Sequence, residues 1–345
     1  MKALHYLEHG GIEKLRFGEL PEVKPQKGEV LVKVRACAIN HLDLWVLQGW
    51  PGLTLPMPHI GGADISGEVH SLGEGVKGWN PGDRVVLYPG VIGPQDEWTK
   101  KGEHSVSPGY RILGEGRRGG FAEYVSIPAE NLLALPEDVG FSEGAAPLLV
   151  GLTAWRMLKH RAKLQKGETV VVVGSGGGLN SFSIQLAKFM GARVIALTST
   201  PAKLEKSLAL GADYVIDYTK NPGWNIEVHK LTDRRGADVV IDNVGAKTIS
   251  ESLRAAARGG RVITVGNTSG ANVSFDNRYL FVKQLSIIGS TMGSPEDFKE
   301  VMNTIWGNQK HFRPIIDRAF PLKDGKNAYK LLQEGRQFGK VIVVP

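Results

Sequence analysis

Two patterns of apolar and polar positions divide the chain. In the first 150 or so residues the dominant period is two. Glu29–Cys37 (EVLVKVRAC) alternates apolar and polar side chains as a half-buried strand does. Ile65–His70 and Asp83–Leu87 do the same more briefly, and Gly73, Gly75, Gly78, Pro81 and Gly82 mark turns between them. The pattern predicts a small, turn-rich, barrel-like β domain. Ala38–Gly49 departs from it: Leu42, Trp45 and Val46 predict a short helix with one apolar face. Residues 89–119 are polar, punctuated by Gly and Pro, and lack periodicity. A loop of that length in a compact domain implies a functional element, a lid or a relic. Phe121–Ile127 reads as a strand again, and Ser142–Leu158 as a helix through Ala145, Leu148, Leu149, Leu152 and Leu158.

Beyond that helix the pattern changes to short apolar runs alternating with amphipathic segments. Strand Val170–Val173 precedes helix Ser181–Met190, and strand Arg193–Leu197 precedes helix Pro201–Leu210, with Pro201 well placed to start a helix. Tyr214–Ile216, Ala237–Ile241, Arg261–Val265 and Leu285–Ile288 are four further strands. Six such strands with helices between them predict an α/β doubly wound parallel sheet. The tail reads as helix Phe298–Trp306, strand Pro314–Phe320, helix Lys326–Glu334 and strand Lys340–Val343. This gives one domain over 151–292 and another assembled from 1–150 and 293–345.

Composition narrows the chemistry. The 345 residues suffice for two domains, and the 42% hydrophobic content is that of a globular protein. Cys37 is the sole cysteine, which excludes an intramolecular disulfide and a four-cysteine zinc site. The net charge is +7, but Lys and Arg are scattered, with small groups at Thr99–Lys101, Arg117–Arg118 and Lys159–Lys166. This reads as a solvated surface plus a site for anionic phosphates, and argues against nucleic acid as partner. MKALHYLEHG lacks the apolar core of a signal peptide and no apolar run reaches membrane-spanning length, so a cytoplasmic protein is expected.

The candidate chemistry centres on Val170–Ser181 (VVVVGSGGGLNS). Gly174, Ser175, Gly176, Gly177, Gly178 and Leu179 form a turn between strand and helix, where bare backbone N–H groups can cradle a phosphate. The match to GxGxxG is incomplete. Gly176 and Gly178 fit, but Ser181 stands third and Asn180 where a close-packing Gly is often found. The position after a strand and before a helix is nevertheless that of a dinucleotide site. The next strand ends in Thr198, Ser199 and Thr200, followed by Lys203, with no carboxylate to hold a ribose 2′-hydroxyl. Hydroxyls and a lysine suit a 2′-phosphate, so NADPH is expected over NADH.

Collinear motifs give a family resemblance. GDRV (Gly82–Val85), FAEY (Phe121–Tyr124), LGAD (Leu210–Asp213), IDNVG (Ile241–Gly245), GGRVITVG (Gly259–Gly266) and GKVIVV (Gly339–Val344) resemble those of the medium-chain dehydrogenase/reductases. The resemblance implies a GroES-like substrate domain and a Rossmann domain. Zinc-dependent members carry a Cys where this chain has Asn40, a GHE where it has Gly62–Ala63–Asp64, and a third ligand near Leu149–Val150. The loop 89–119 lacks the four cysteines of their structural zinc site. A different site from Cys37, His41, His59 and Asp64 is conceivable from the Cys37-x3-His41 spacing, but a small apolar packing role is commoner for such a cysteine. No metal is therefore expected, and the chain looks like the quinone oxidoreductase branch, which reduces quinones or activated C=C bonds with NADPH.

By the same resemblance, Lys203 and Tyr218 contact the 2′-phosphate. Asn243 with Val265, Gly266 and Asn267 contacts the adenosine and ribose side, Thr153 lies near the nicotinamide, and Arg336 contacts a phosphate. Asn40 is the candidate donor to the substrate oxygen or cofactor amide and Asp43 orients its neighbourhood, although Asn and Asp equally suit the start of a helix. Trp45, Trp50, Leu53 and Tyr88 are flat substrate walls or core. The expected activity is hydride transfer from NADPH to a quinone or enone by a homodimer or homotetramer, with Leu285–Ile288 as a pairing edge. The alternatives are a zinc alcohol dehydrogenase and an NADPH-binding protein without activity, such as a sensor or nucleic-acid binder.

Overall fold

The computed structural model describes all 345 residues, which divide into two compact units. The first comprises Met1–Leu152, Gly293–Gly307 and Pro314–Pro345. The second comprises Thr153–Met292 and Asn308–Arg313.

In the first unit a sheet of seven strands runs in the order Ile316–Pro321, Lys340–Val344, Glu29–Ala38, Asp64–Leu72, Arg84–Leu87 and Leu132–Ala134, with Tyr124–Pro128 also pairing Glu29–Ala38. The path is open where the turn-rich pattern predicted a barrel-like closure. Glu29–Ala38 is its centre because its alternation buries Val30, Val32, Val34 and Cys37 in one cluster with Ile65, Phe121 and Tyr329. The register shifts at Leu31/Val32 and Val34/Ala36, irregularities that bend a strand and increase its twist. The C-terminal strand joins antiparallel, with Ile342 opposite Ala38 and Val343 opposite Cys37.

Two expectations over residues 89–161 change. The single helix over Ser142–Leu158 is interrupted: Phe141–Ala145 and Leu148–Trp155 are separate, and Arg156–Arg161 winds as a π-helix. Pro147 stands at the interruption, since it has no N–H to donate into a continuing helix but is well suited to begin the next one. Residues 89–119 are an ordered lobe. Gly90–Val91 pairs with Arg111–Ile112, and short 3-10 turns form at Thr99–Lys101 and His104–Val106. Gly90 lies close under Tyr110: a Cβ there would stand 2.1 Å from Tyr110 Oη and displace that ring.

The second unit is a six-stranded sheet, parallel throughout. The order is Tyr214–Asp217, Arg193–Thr198, Thr169–Val173, Ala237–Asp242, Ala256–Thr264 and Ser286–Gly289. The apolar runs are continuous because both faces are covered by helices: Val171, Val173, Ile195, Leu197, Val240 and Val262 are all core. Helix Gly178–Phe189 begins three residues before the expected Ser181, directly on the glycine turn. The short segment 308–313 belongs to this unit rather than the first. Arg313 N donates to Gln185 Oε1 (2.7 Å), and Phe312 packs its ring 5.1 Å from that of Phe189.

Ile195 is completely buried and Ile226 is more than half exposed. Ile195→Ala is expected to cost about 2–5 kcal/mol, whereas Ile226→Ala stays within about 0.5 kcal/mol. Urea-unfolding midpoints of the two variants check this.

Candidate functional site

Because all six strands of the second unit are parallel, their C-terminal ends share one edge. Strand order reverses beside Thr169–Val173, the place where such sheets bind ligands. The chain leaves that strand through Gly174 at φ +80°, in the left-handed region where glycine is favoured. Gly174 N and Ser175 N both donate to Leu197 O (3.0 and 2.8 Å), tying the turn to the neighbouring strand. Ser175 Oγ and Ser207 Oγ lie 2.8 Å apart. Gly177 is the N-cap of the twelve-residue helix and supplies no side-chain cap. The first-turn N–H groups at Gly178, Leu179 and Asn180 therefore have neither an intrahelical acceptor nor a capping side chain, at the positive end of the helix dipole.

The two departures from the glycine motif have structural tasks. Asn180 Nδ2 lies within hydrogen-bond distance of Val173 O (2.7 Å), Gly174 O (2.8 Å) and Asn243 Oδ1 (3.1 Å), and so pins the end of the strand. Its Oδ1 is a buried acceptor with no donor from the protein. Ser181 Oγ donates to Gly178 O (2.8 Å).

The end of the next strand is also organised. Thr200 Oγ1 accepts from Lys203 N (3.3 Å) at the start of helix Pro201–Ala209. The Lys203 side chain lies over the glycine turn: a Cβ on Gly176 would come within 3.2 Å of its Cδ, Cε and Nζ. Thr198 is buried and Ser199 follows it, while Tyr218 N donates to Thr198 O (3.1 Å) from the adjoining strand end. The nearby carboxylates are committed to other donors. Asp217 accepts from Thr219 Oγ1 (2.5 Å) and Thr219 N (3.0 Å), bonds that hold its carboxyl below the usual range. Asp242 accepts from Val244 N, Gly245 N, Thr248 Oγ1 and Ser252 Oγ at 2.6–3.1 Å.

Asn243 and the turn Val265, Gly266, Asn267 lie just beyond two neighbouring strands of the same edge. Thr153 is buried, its Oγ1 4.0 Å from Met292 Sδ. Arg336 lies in the first unit, exposed, with Nε donating to Glu334 Oε2 (2.6 Å).

In the first unit, three strands bring a buried charged cluster together. Continuing the register of Ile342 with Ala38 sets Lys340 opposite Asn40, and Asp64 pairs with Ala38 on the other side. Lys340 Nζ donates to Asn40 Oδ1 (2.5 Å) and Asp64 Oδ2 (2.8 Å), and Asn40 Nδ2 donates to Asp64 Oδ2 (3.0 Å). Asp64 Oδ1 accepts from Leu149 N (2.7 Å). The Lys340 side chain is 3% exposed and that of Asp64 is 0%. The orientation of the Asn40 carboxamide follows from chemistry: an ammonium only donates and a carboxylate only accepts.

Asp43, in helix His41–Gln48, holds the approach to this cluster. Its Oδ2 accepts from Asn40 N and its Oδ1 from Gly62 N, both at 2.7 Å. Burial pushes its carboxyl up to about 7 against those two bonds. Burial, and then the Lys340 charge, holds the His41 imidazole below its ordinary value. Gly62 sits at φ +98°, and a Cβ there would meet Cys37 Sγ at 2.7 Å.

Cys37, His41, His59 and Asp64 do not assemble into a metal cage. Cys37 is in the apolar core with its thiol pushed well up by burial, and His59 Nε2 lies 3.1 Å from Gly114 O. Of the aromatic walls, Tyr88 is buried with Oη donating to Gly293 O (2.7 Å), Trp45 is half-buried and Trp50 is exposed. Sequence reasoning noted Asp64 only within the displaced Gly62–Ala63–Asp64 motif and as one of four conceivable metal ligands, and gave Lys340 no role. The available signal was a lysine opening the apolar run KVIVV.

Asp43 carries a pH prediction. Its folded value of about 7 lies above the value of about 3.9 for an unfolded Asp. Between those values the folded protein holds a proton that the unfolded chain releases, so stability from this group falls as pH rises from about 4 to about 7. Melting temperatures at pH 5 and pH 8 should differ more in the wild type than in Asp43→Asn.

Comparison with known proteins agrees with the two-unit architecture. Residues 26–137 match the alcohol dehydrogenase GroES-like domain, and 178–307 match the zinc-binding dehydrogenase family. A zinc-type alcohol dehydrogenase-like protein of Schizosaccharomyces pombe is 32% identical over 99% of both chains. An acryloyl-coenzyme A reductase of Metallosphaera sedula is 32% identical over 94% of this chain and 95% of its own. Among solved structures, an NAD-dependent alcohol dehydrogenase superposes with a TM-score of 0.95 at 40% identity, covering 100% of both chains. A 2-octenoyl-CoA carboxylase reductase in complex with NADP and 2-octenoyl-CoA gives 0.89 at 30% identity over 99% of this chain and 87% of its own. The chain is an oxidoreductase-type α/β protein and belongs to the zinc-type alcohol dehydrogenase-like family of the medium-chain dehydrogenase/reductases.

Proposed function

We propose that the protein is an NADPH-dependent reductase that delivers hydride to an activated carbon–carbon double bond or a quinone without a metal. The observation that carries this reading is the Lys340–Asn40–Asp64 cluster. The family name implies zinc, which takes thiolate, imidazole or carboxylate donors at about 2.0–2.3 Å. Asn40, Ala63 and Leu149 provide none of these side chains. Asp64 does, but both its oxygens are engaged by Lys340, Asn40 and Leu149 N. The sole thiol is held protonated in the core. These residues do not fit a zinc ion.

Alcohol–ketone interconversion needs a Lewis acid or proton relay at oxygen. Reduction of an enone or quinone is less demanding, since the developing negative charge spreads over a conjugated system. A nicotinamide held here would supply the hydride, with a hydrogen-bond donor or water as the proton source for the acceptor. The chain's own part is to bind, orient and stabilise charge. Gly174–Leu179 offer N–H groups to the pyrophosphate. Thr198, Ser199, Thr200, Lys203 and Tyr218 surround the place for a 2′-phosphate. Asn243 and Val265–Asn267 serve the ribose side, and Thr153 the nicotinamide. Arg336, exposed and paired with Glu334, is a further candidate phosphate ligand by resemblance alone. Asn40 donates to the acceptor oxygen, and Asp43 fixes the backbone beneath it. The names of the acryloyl-CoA and 2-octenoyl-CoA reductases, both acting on α,β-unsaturated acyl groups, support a C=C acceptor.

The 40%-identical alcohol dehydrogenase structure favours a second reading, NAD-linked alcohol oxidation. No helix is long and apolar enough to cross a membrane. The edge strand Ser286–Gly289, with exposed Ile287 and nearby exposed Phe281 and Val282, supports pairing with a second copy.

One assay tests the reading: NADPH and NADH oxidation with 1,4-benzoquinone, methyl vinyl ketone, acryloyl-CoA and acetaldehyde, with zinc content measured in parallel. Turnover of the conjugated acceptors with NADPH by zinc-free protein is expected. Stoichiometric zinc with acetaldehyde reduction by NADH would overturn it. Lys203→Ala should weaken NADPH binding about tenfold, roughly 1.4 kcal/mol, and leave NADH binding unchanged in fluorescence titrations.

A further inference from the structure

The carboxamide of Asn40 is almost fully committed. Its Oδ1 takes the Lys340 ammonium at 2.5 Å, and one Nδ2 proton goes to Asp64 Oδ2 at 3.0 Å. The second Nδ2 proton has only Ala38 O, at 3.5 Å, the outer limit of a hydrogen bond. An ammonium on the carbonyl oxygen withdraws electron density from the amide and strengthens its N–H groups as donors, as in any polarised hydrogen-bond chain. The cation is internal to the fold, contributed by a strand 300 residues further along the chain. Burying it beside Asp64 is expensive, and a well-packed apolar pair of similar volume would commonly serve stability as well or better.

We propose that Lys340 is a positioning residue for the reduction: its ammonium, fixed between Asn40 Oδ1 and Asp64 Oδ2, orients and polarises the Asn40 carboxamide, whose second N–H is the donor to the acceptor's carbonyl oxygen. This rests on the metal-free reading above. Negative charge arriving on that oxygen is met by an N–H whose own carbonyl is already held by a positive charge. Lys340 acts through Asn40 and does not itself touch the acceptor. Asp64 prevents rotation of the amide, because the flipped orientation would set the NH2 against the ammonium and the carbonyl against the carboxylate.

The test compares wild type, Lys340→Met and the double variant Lys340→Met/Asp64→Asn, which removes both buried charges together and so restores electrostatic balance. With methyl vinyl ketone as acceptor, both variants should lose about tenfold to a hundredfold in kcat, less than the roughly hundredfold to thousandfold cost of removing a transition-state donor outright, because the Asn40 N–H remains but is no longer polarised and fixed. KM for NADPH should stay within about twofold, as expected when an interaction made only in the transition state is lost. A double variant that folds and turns over at the wild-type kcat would reduce Lys340 to a structural ion-pair partner and overturn the proposal. A second readout needs no substrate. The two Asn40 side-chain amide protons, identified by their disappearance in Asn40→Ser, should give separated, slowly exchanging NMR signals in the wild type. They should converge and exchange faster in the double variant. Unchanged signals would overturn the proposal. Wild-type protein inactive on every conjugated acceptor but with the expected amide signals would instead overturn the functional reading alone.

Discussion

A lysine ammonium sealed inside a β domain is held there only by what faces it. Lys340 has two acceptors, Asn40 Oδ1 and Asp64 Oδ2, and neither could be supplied by its own strand. The three residues come from three neighbouring strands or their ends, so the cluster exists only when the C-terminal strand has docked on Glu29–Ala38. The desolvation of both charges weighs against a simple stabilising role, because an apolar pair of similar volume would commonly hold the strand as well, although losing only one partner leaves the other buried and unpaired. What the cluster does secure is register. A one-residue slip of Lys340–Val344 would turn the ammonium away from its acceptors and reverse the faces of the whole strand.

The glycine turn works by a different economy. It leaves the first backbone donors of the helix without a side-chain cap, and the surroundings hold it without capping it. Gly174 and Ser175 are tied to Leu197 O, and Asn180 ties the helix start back to Val173 and Gly174. The asparagine and serine that break the glycine motif thus reinforce the same turn from within the helix. Close packing by a third glycine is replaced by hydrogen bonds. Lys203 brings positive charge over the turn, and the strand-end carboxylates face their own backbone.

Much of this was legible from sequence. The six apolar runs, the strand–glycine–helix step and the absent carboxylate after Leu197 are local features, and local periodicity and turn chemistry encode them directly. Element ends were less so. Helix Gly178–Phe189 starts on residues of poor helix propensity because the sheet edge fixes where the chain turns back. The break at Pro147 was readable from the residue itself, yet the apolar periodicity ran through it. The segment 308–313 was assigned by proximity in the chain, whereas Phe312 and Arg313 follow their contacts with Phe189 and Gln185.

The sequence by itself determined the fold class, the strand–glycine–helix step that offers bare backbone donors, and the presence of Asn40, Ala63 and Leu149, none of which carries a thiolate, imidazole or carboxylate. These depend on residue type and short spacing, which a linear text contains. Only the tertiary structure decided what stands among those positions. Asp64 and Lys340 are 276 residues apart, and nothing local to either names the other. Their pairing follows from strand order and register, which are properties of the packed sheet, and from the rule that a charge buried from water must find its counter-charge within the protein.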